Sequence, residues 1–399
     1  MISFDPARLV PEFYSDPYPT YRALREQDPL HQCPDGSWFL TRYADLDRIY
    51  RDRRSFSSDK KAVFAPKFGE QSPLYEHHTN SLVFNDPPYH TRVRRAIVGA
   101  LSPRVLKDME PGLISLIDRL IGQLEVRGEF DGIEDFAAAI PVEVIGNLLS
   151  VPQAERGPLR GWSLAILGAL EPVLNPEQQR RGNAAVTDFL AYLRTLIRER
   201  RRGLADEDQS MLARLIREER AAEPITETEL LHNCVFLLNA GHETTTNLIG
   251  NALHLLLTHE EQLRKLRAEP TLITTTVEEV LRCESPNQLG NRLVVEPAQI
   301  ADQLLQPGTY LHLCIGAANR DPDVFPEPDR FEIGRVPNQH LAFAAGSHAC
   351  AGMSVARLEA QLAIPRIVRR FPRLRVKGEG VRGARARFRG FRSLPLATH

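Results

Sequence analysis

The sequence predicts a mainly α-helical fold with a small β-sheet region. Three observations carry that expectation. Apolar residues recur at helical spacing through most of the 399 residues. Strand-like runs are few and short. Proline is frequent, 29 residues in all, and several crowd Asp321–Pro337 into a coil that suits neither a helix interior nor a central strand. Helical periodicity covers Tyr18–Arg25, Tyr43–Tyr50, Tyr89–Leu101, Val105–Val126, Glu177–Arg200, Ile225–Leu257, Glu260–Arg267, Leu272–Cys283 and Met353–Arg370. The strand signals are Trp38–Thr41, Arg292–Val295, Tyr310–Cys314 and Leu394–Ala397. Two S/T-x-x-E boxes mark helix starts, Thr226 with Glu229 and Thr258 with Glu261. No repeat or long linker divides the chain, so residues 1–399 read as a single domain.

Composition narrows the class. With 42% hydrophobic and 25% charged residues the chain reads as a soluble globular protein with a large core. A formal net charge of -1 gives no global attraction to nucleic acid or to an anionic membrane. The most apolar stretch, Leu230–Leu257, is interrupted by Asn233, Asn239, His242, Glu243, Asn247 and Asn251, which makes it a core helix rather than a membrane span. Met1 to Pro11 shows no signal-like apolar run, and five cysteines without a C-x-x-C pair argue against a disulfide framework or a zinc ribbon. The expectation is a cytoplasmic monomer.

Chemistry concentrates in Phe343-Ala-Ala-Gly346-Ser-His348-Ala-Cys350-Ala-Gly352, followed by a helix from Met353. Gly346 and Gly352 permit a tight turn and close approach of backbone to a flat ligand. A thiolate just before a helix N-terminus is stabilised by the helix dipole and by unpaired N–H groups. Bound to haem iron, it supplies the electronic push that favours O–O cleavage. This segment resembles the cysteine-ligand signature of the cytochrome P450 superfamily, in its soluble bacterial monooxygenase form. Ala344 departs from the pattern, where the family usually has Gly. The resemblance implies the cytochrome P450 fold, haem b (iron protoporphyrin IX) as cofactor, Cys350 as iron ligand, and Phe343, Gly346 and Gly352 among the cofactor-binding residues. The plain alternative is a buried structural cysteine. Cys33, Cys234, Cys283 and Cys314 lack such a setting and read as inert thiols.

The long helix carries Asn239-Ala240-Gly241-His242-Glu243-Thr244-Thr245. Gly in mid-helix costs about 1 kcal/mol relative to Ala, and room for oxygen at a haem face is one reason to keep it. Thr244 is placed to direct its hydroxyl back to the Ala240 carbonyl. The family's A-G-x-[D/E]-T segment maps onto Ala240, Gly241, Glu243 and Thr244. The resemblance implies that Ala240 and Gly241 lie against haem and that Glu243 and Thr244 are catalytic, delivering the protons that O–O cleavage consumes. A solvated polar face is the alternative. A zinc-protease reading of His242-Glu243 fails, because Thr246 stands where H-E-x-x-H needs histidine.

Two arginine systems follow from the resemblance. Glu279 and Arg282, at i and i+3, with Arg330 from Phe325-Pro-Glu-Pro-Asp-Arg330, resemble the family's buried Glu-Arg-Arg cluster and take a structural role. His90, Arg94, Arg292 and His348 match positions that meet the haem propionates, which need paired donors. No dinucleotide fingerprint is visible, so electrons come from another protein. Arg92, Arg95, Arg104 and Lys107 are expected to dock an acidic redox partner, a ferredoxin served by a separate reductase; a flavodoxin or a solvated basic face are alternatives. The substrate pocket implied by resemblance involves the Lys61–Phe84 loop with Phe64, His78 and Leu82, then Phe236, Asn239 and Ala240, Gln288–Gly290 and Phe388. His77 and His78 read as exposed loop residues. The expected reaction is hydroxylation or O-dealkylation of a small to medium organic substrate with O2. The rivals are a peroxide-driven peroxygenase and a non-catalytic haem carrier or gas sensor.

Overall fold

Helices account for about 57% of the chain, against roughly 30–35% in an average globular protein, so the mainly α expectation holds. The computed structural model describes residues 2–203, 208 and 210–399. By its contacts the chain gathers into two compact units, one of residues 1–57, 111–140 and 244–399, the other of residues 58–110 and 141–243.

The first unit holds a five-stranded sheet in the order Leu30–Gln32, Trp38–Leu40, Tyr310–Cys314, Leu289–Val294, Phe56–Ser57. Trp38 pairs in parallel with Leu311, whereas Leu289 pairs antiparallel with Cys314. The strand Tyr310–Cys314 is central and buried from Leu311 to Cys314, which is why it reads as a near-continuous apolar run. Leu40, Leu46, Ile49, Leu311, Leu313 and Ile315 form the core beside it. A smaller sheet joins Glu129–Asp131, Pro395–Ala397 and Arg375–Val376. Helices Ile273–Cys283 and Met353–Arg370 complete this unit's scaffold. Between residues 319 and 345 the chain runs through turns and coil, as the prolines require.

In the second unit helix Pro176–Arg202 packs on helix Leu159–Gly168 through Trp162 and Phe189, stacked with ring centroids 4.9 Å apart. Asn175 and Gln178 form a reciprocal capping box at its start. The Lys61–Phe84 segment, expected as a loop, forms helices Lys61–Phe68 and Pro73–Asn80 and a turn Leu82–Phe84. Its short amphipathic signals hide behind Pro66 and Pro73. Ser72 caps the second helix by accepting from the Tyr75 N–H at 3.1 Å.

The Thr226–Glu229 box forms as expected: the Thr226 N–H donates to Glu229 at 2.7 Å, and the Glu229 N–H donates to the Thr226 hydroxyl at 3.2 Å. Thr258 behaves differently. Helix Glu227–Thr258 includes it, and its hydroxyl donates back to the His254 carbonyl at 2.7 Å, while His259 precedes the next helix without a side-chain cap. Among the described residues, no helix is long and apolar enough to cross a membrane.

Candidate active site

The cysteine loop rests on Tyr50. This residue lies near the end of helix Tyr43–Arg51, and its backbone carbonyl would be 2.2 Å from a Cβ at position 346. Gly346 also has a φ of 69°, so both the left-handed backbone and the close approach demand glycine. Ala344 takes a φ of 54° and so keeps the turn that the family's glycine makes, at the cost of some strain. The Cys350 N–H donates to the Phe343 carbonyl at 2.9 Å and closes the loop. Gly352 is the N-cap of helix Met353–Arg370, and a Cβ there would meet nothing within 4 Å.

Cys350 is half-buried, whereas Cys33, Cys234, Cys283 and Cys314 are buried. Burial pushes the Cys33 thiol up to about 11 and those of Cys234, Cys283 and Cys314 up to about 12. Inert thiols look like those four.

Tyr50 ties further residues to this loop. Its hydroxyl lies 2.0 Å from where a Cβ on Gly290 would stand, and the Arg292 guanidinium sits 5.0 Å from its ring centroid. Arg292 is buried on strand Leu289–Val294 and donates to the Asn291 carbonyl at 2.8 Å. His348 is half-buried in the turn Gly346–His348. Sequence reasoning passed over Tyr50, since a buried tyrosine on an amphipathic helix looks like any core residue.

The buried arginine cluster needs a correction. Glu279 and Arg282 are fully buried and joined by two hydrogen bonds of 2.8 Å, as expected. The third arginine is Arg335, whose Nε donates to Glu279 at 3.1 Å. Arg330 is exposed and pairs with Glu327 and Glu332 instead. Its contribution is a backbone carbonyl, which accepts from Arg282 and Arg335. The physical reason is local: the Arg330 side chain turns outward to Glu327 and Glu332, while the coil meets Glu279 through the Glu332 N–H at 2.9 Å and then through the Arg335 side chain.

On helix Glu227–Thr258, Phe236, Ala240 and Thr244 share one face at i, i+4, i+8, and that face is accessible while Leu237, Leu238, Asn239, His242 and Glu243 are buried. Ala240 is exposed outright. A helix with one open strip and otherwise buried sides faces space. Half-buried Gly241 lies beside that strip, and a Cβ there would stand 2.5 Å from Ile145 Cδ1, so the glycine also makes room for a neighbouring side chain. Glu243 and Thr244 follow one another along this helix. His242 is held neutral, its pKa down at about 3 through burial first and the Arg160 charge second.

In the second unit His90 is buried and Arg94 half-buried, one turn apart on helix Tyr89–Ala100. Arg92, expected as a docking residue, is instead engaged with Glu229 at 2.9 and 2.5 Å, joining two helices. Arg95 is exposed and pairs with Glu223 at 2.7 Å.

The expected pocket residues fall into different settings. Phe64, Leu82 and His78 are buried, with the Phe64 ring 4.9 Å from Phe84 and 5.6 Å from His78. His77 and His78 are thus buried on a helix, not exposed on a loop. Asn239 turns to His77, with Nδ2 3.3 Å from Nε2, while His77 Nδ1 and Asn239 Oδ1 have no hydrogen-bond partner among the described residues. Burial, with His78 and His232 nearby, keeps His77 far below the ordinary histidine range and therefore neutral. Gln288 is packed inside the protein: its amide donates to the Ser285 carbonyl at 2.7 Å, and its Oε1 lies 1.9 Å from where a Gly316 Cβ would be. Phe388 is buried, and Asn287 pairs with it in an isolated bridge.

Residues 164–382 match the family model described as cytochrome P450. The chain belongs to the cytochrome P450 family. Among curated P450s it is 35% identical over 366 residues to the biotin biosynthesis cytochrome P450 of Bacillus subtilis (strain 168), covering 91% of both chains. It is also 35% identical to the vitamin D(3) 25-hydroxylase of Pseudonocardia autotrophica, over 91% of this chain and 88% of that one. Among solved structures, P450BioI in complex with acyl carrier protein ligated to hexadec-9Z-enoic acid superposes with a TM-score of 0.91. The two are 34% identical, with 98% of this chain and 100% of that one covered.

As a P450 the chain is a haem monooxygenase, an oxidoreductase whose cofactor is haem b. The residues present fit that group. An accessible cysteine precedes a helix N-terminus, open space fronts Gly352, and cationic Arg292 packs on the residue that buttresses the loop.

Proposed function

We propose that Cys350, as thiolate, ligates the haem iron and that the protein hydroxylates or O-dealkylates a small to medium organic substrate. The observation that carries this is the contrast between half-buried Cys350 and the four buried cysteines, on a loop whose shape Gly346 and Tyr50 dictate. When bound, haem supplies oxygen activation and transfer of one oxygen atom to substrate. The chain's own residues do the rest. The turn Gly346–His348 and the N-terminus of helix Met353–Arg370 stabilise the anionic sulfur. Arg292, His348, His90 and Arg94 provide donors to the propionates. Glu243 and Thr244 hold and pass the protons that oxygen cleavage consumes.

Phe64, Leu82, Phe236 and Phe388 favour an apolar substrate, and neutral His77 beside Asn239 favours one neutral polar group on it. The relatives' names span biotin synthesis and vitamin D(3) hydroxylation, so the substrate is sought by screening for spin-state shifts. Electrons would come from a ferredoxin and separate reductase. Arg95, exposed although paired with Glu223, is the better docking candidate, since Arg92 is largely covered in its pair with Glu229. A cytoplasmic monomer with residues 1–399 as one domain completes the reading.

The deciding experiment is the spectrum of the reduced protein with carbon monoxide. A strongly red-shifted Soret band is expected, and Cys350→Ser should abolish it; a histidine-type spectrum in the wild type would overturn the assignment. Thr244→Ala should keep substrate binding but divert electrons to peroxide. Unchanged coupling would exclude Thr244 from proton delivery.

A further inference from the structure

We propose that Glu278 and Arg357 are positioning residues for Cys350: their ion pair holds the Phe343 end of the cysteine loop and fixes a permanent positive charge in the field of the thiolate. The inference rests on Cys350 being the iron ligand. It starts from helix geometry. Glu279 turns into the buried arginine cluster, and Glu278, a hundred degrees further back around helix Ile273–Cys283, faces a different neighbour. That neighbour is Arg357, seven residues after Cys350 and just into the second turn of helix Met353–Arg370.

The contact is a fork. Arg357 Nε donates to Glu278 Oε1 and Nη2 to Oε2, each at 2.7 Å. His340 joins it, with Nε2 3.1 Å from Glu278 Oε2. Because His340 Nδ1 accepts from the Ala342 N–H at 3.3 Å, the proton belongs on Nε2, which donates to the carboxylate. Glu278 thus grips the start of the cysteine loop and the helix behind it with one carboxylate.

The fork fixes the guanidinium, whose Cζ lies over the Phe343 ring 4.7 Å from its centroid. Phe343 in turn supplies the carbonyl that accepts the Cys350 N–H at 2.9 Å. The path from Glu278 to the sulfur-bearing residue is therefore continuous: carboxylate, guanidinium, aromatic ring, backbone carbonyl, cysteine. Arg357 cannot be deprotonated in practice, so it is a fixed charge. Its cationic form is favoured foremost by the Glu278 hydrogen bond, against the cost of burial, with a smaller favourable contribution from a negative charge on Cys350.

Electrostatics then gives opposite signs for the two partners. A neutral residue at 357 removes positive charge near the sulfur and favours the ferric state, lowering the reduction potential. A neutral residue at 278 leaves Arg357 uncompensated and raises it. Loss of packing alone gives no reason for opposite signs.

The test uses the full-length, haem-loaded protein and the variants Arg357→Met, Glu278→Gln and the double variant. The midpoint potential of the iron is read by spectroelectrochemical titration. Arg357→Met should shift it negative, Glu278→Gln positive, and the double variant should return towards wild type. Each single variant should also lose the red-shifted carbon monoxide band in mild urea about ten-fold faster, the factor carried by one charge-assisted hydrogen bond. Arg357→Lys should restore the potential but not the fork. Single variants that move the potential in the same direction, or leave it unmoved, overturn the inference. A wild type without the red-shifted band overturns the ligand reading instead, so the two failures are told apart.

Discussion

Removing the charge of Glu279 should be among the most damaging single changes in this protein. Its two oxygens accept two hydrogen bonds from Arg282, one from Arg335 at 3.1 Å, one from Asn338 at 3.0 Å and one from the Glu332 N–H at 2.9 Å. Glu279 and Arg282 have no exposed side-chain surface. Glu279→Gln keeps the volume but leaves two guanidinium groups without a counter-charge, which costs about 3–5 kcal/mol where the cation cannot reach water. Arg335→Ala removes its bond to Glu279 and three to the Pro326, Glu327 and Arg330 carbonyls, and should cost at least about 1.5–3 kcal/mol. Arg330→Ala, at an exposed pair, should cost about 0.5 kcal/mol or less. The assay is urea unfolding of the haem-loaded protein, read as the shift of midpoint at unchanged slope. An Arg330→Ala variant as damaged as Arg335→Ala, or a Glu279→Gln loss below about 1 kcal/mol, would refute the geometry.

Further outcomes are expected. Gly346→Ala brings a methyl to 2.2 Å from the Tyr50 carbonyl at a φ of 69°, so haem content should fall sharply while far-UV circular dichroism stays near wild type. Glu278 and Glu284 would be raised by burial, but hydrogen bonds and charges, from His340 and Arg357 on one and chiefly Arg389 and Arg382 on the other, hold both down at about 2 from 4.5. Their contribution is therefore complete above pH 4.5 and drains away as pH falls towards about 2; Glu278→Gln should flatten the acid limb of a stability–pH curve. Glu359 is the opposite case. It is buried, Oε2 has no hydrogen-bond partner among the described residues, and burial raises its pKa, so it subtracts stability as pH rises past 4.5. Glu359→Gln should gain about 1 kcal/mol at neutral pH, seen as a higher urea midpoint.

Most long helices were legible because their buried faces repeat over many turns: Met353–Arg370 was read to the residue, and Tyr43–Arg51 to within one. The helices at Lys61–Phe68 and Pro73–Asn80 were not, since eight residues with prolines give too little periodicity to outweigh a loop reading. The same scale explains the site. Cys350, Glu279 and Arg282 lie in compact local patterns, where spacing alone fixes neighbours. Arg335, Tyr50 and the Glu278–Arg357 fork depend on contacts between segments far apart in sequence, which no local pattern encodes. Arg330 shows the hazard directly, because an arginine in a suggestive context lost its role to one five residues later.

Gly241 and Ile145 make a size-matched couple. One supplies the hollow, and the other fills it with a Cδ1 2.5 Å from the missing methyl. Any lineage or library that grows position 241 must therefore move the end of the Ile145 side chain, and Ile145→Val is the smallest trim that makes the room outright. Grafting this helix segment onto a sibling enzyme would carry along that hidden debt of one methyl group, some hundred residues away from the graft.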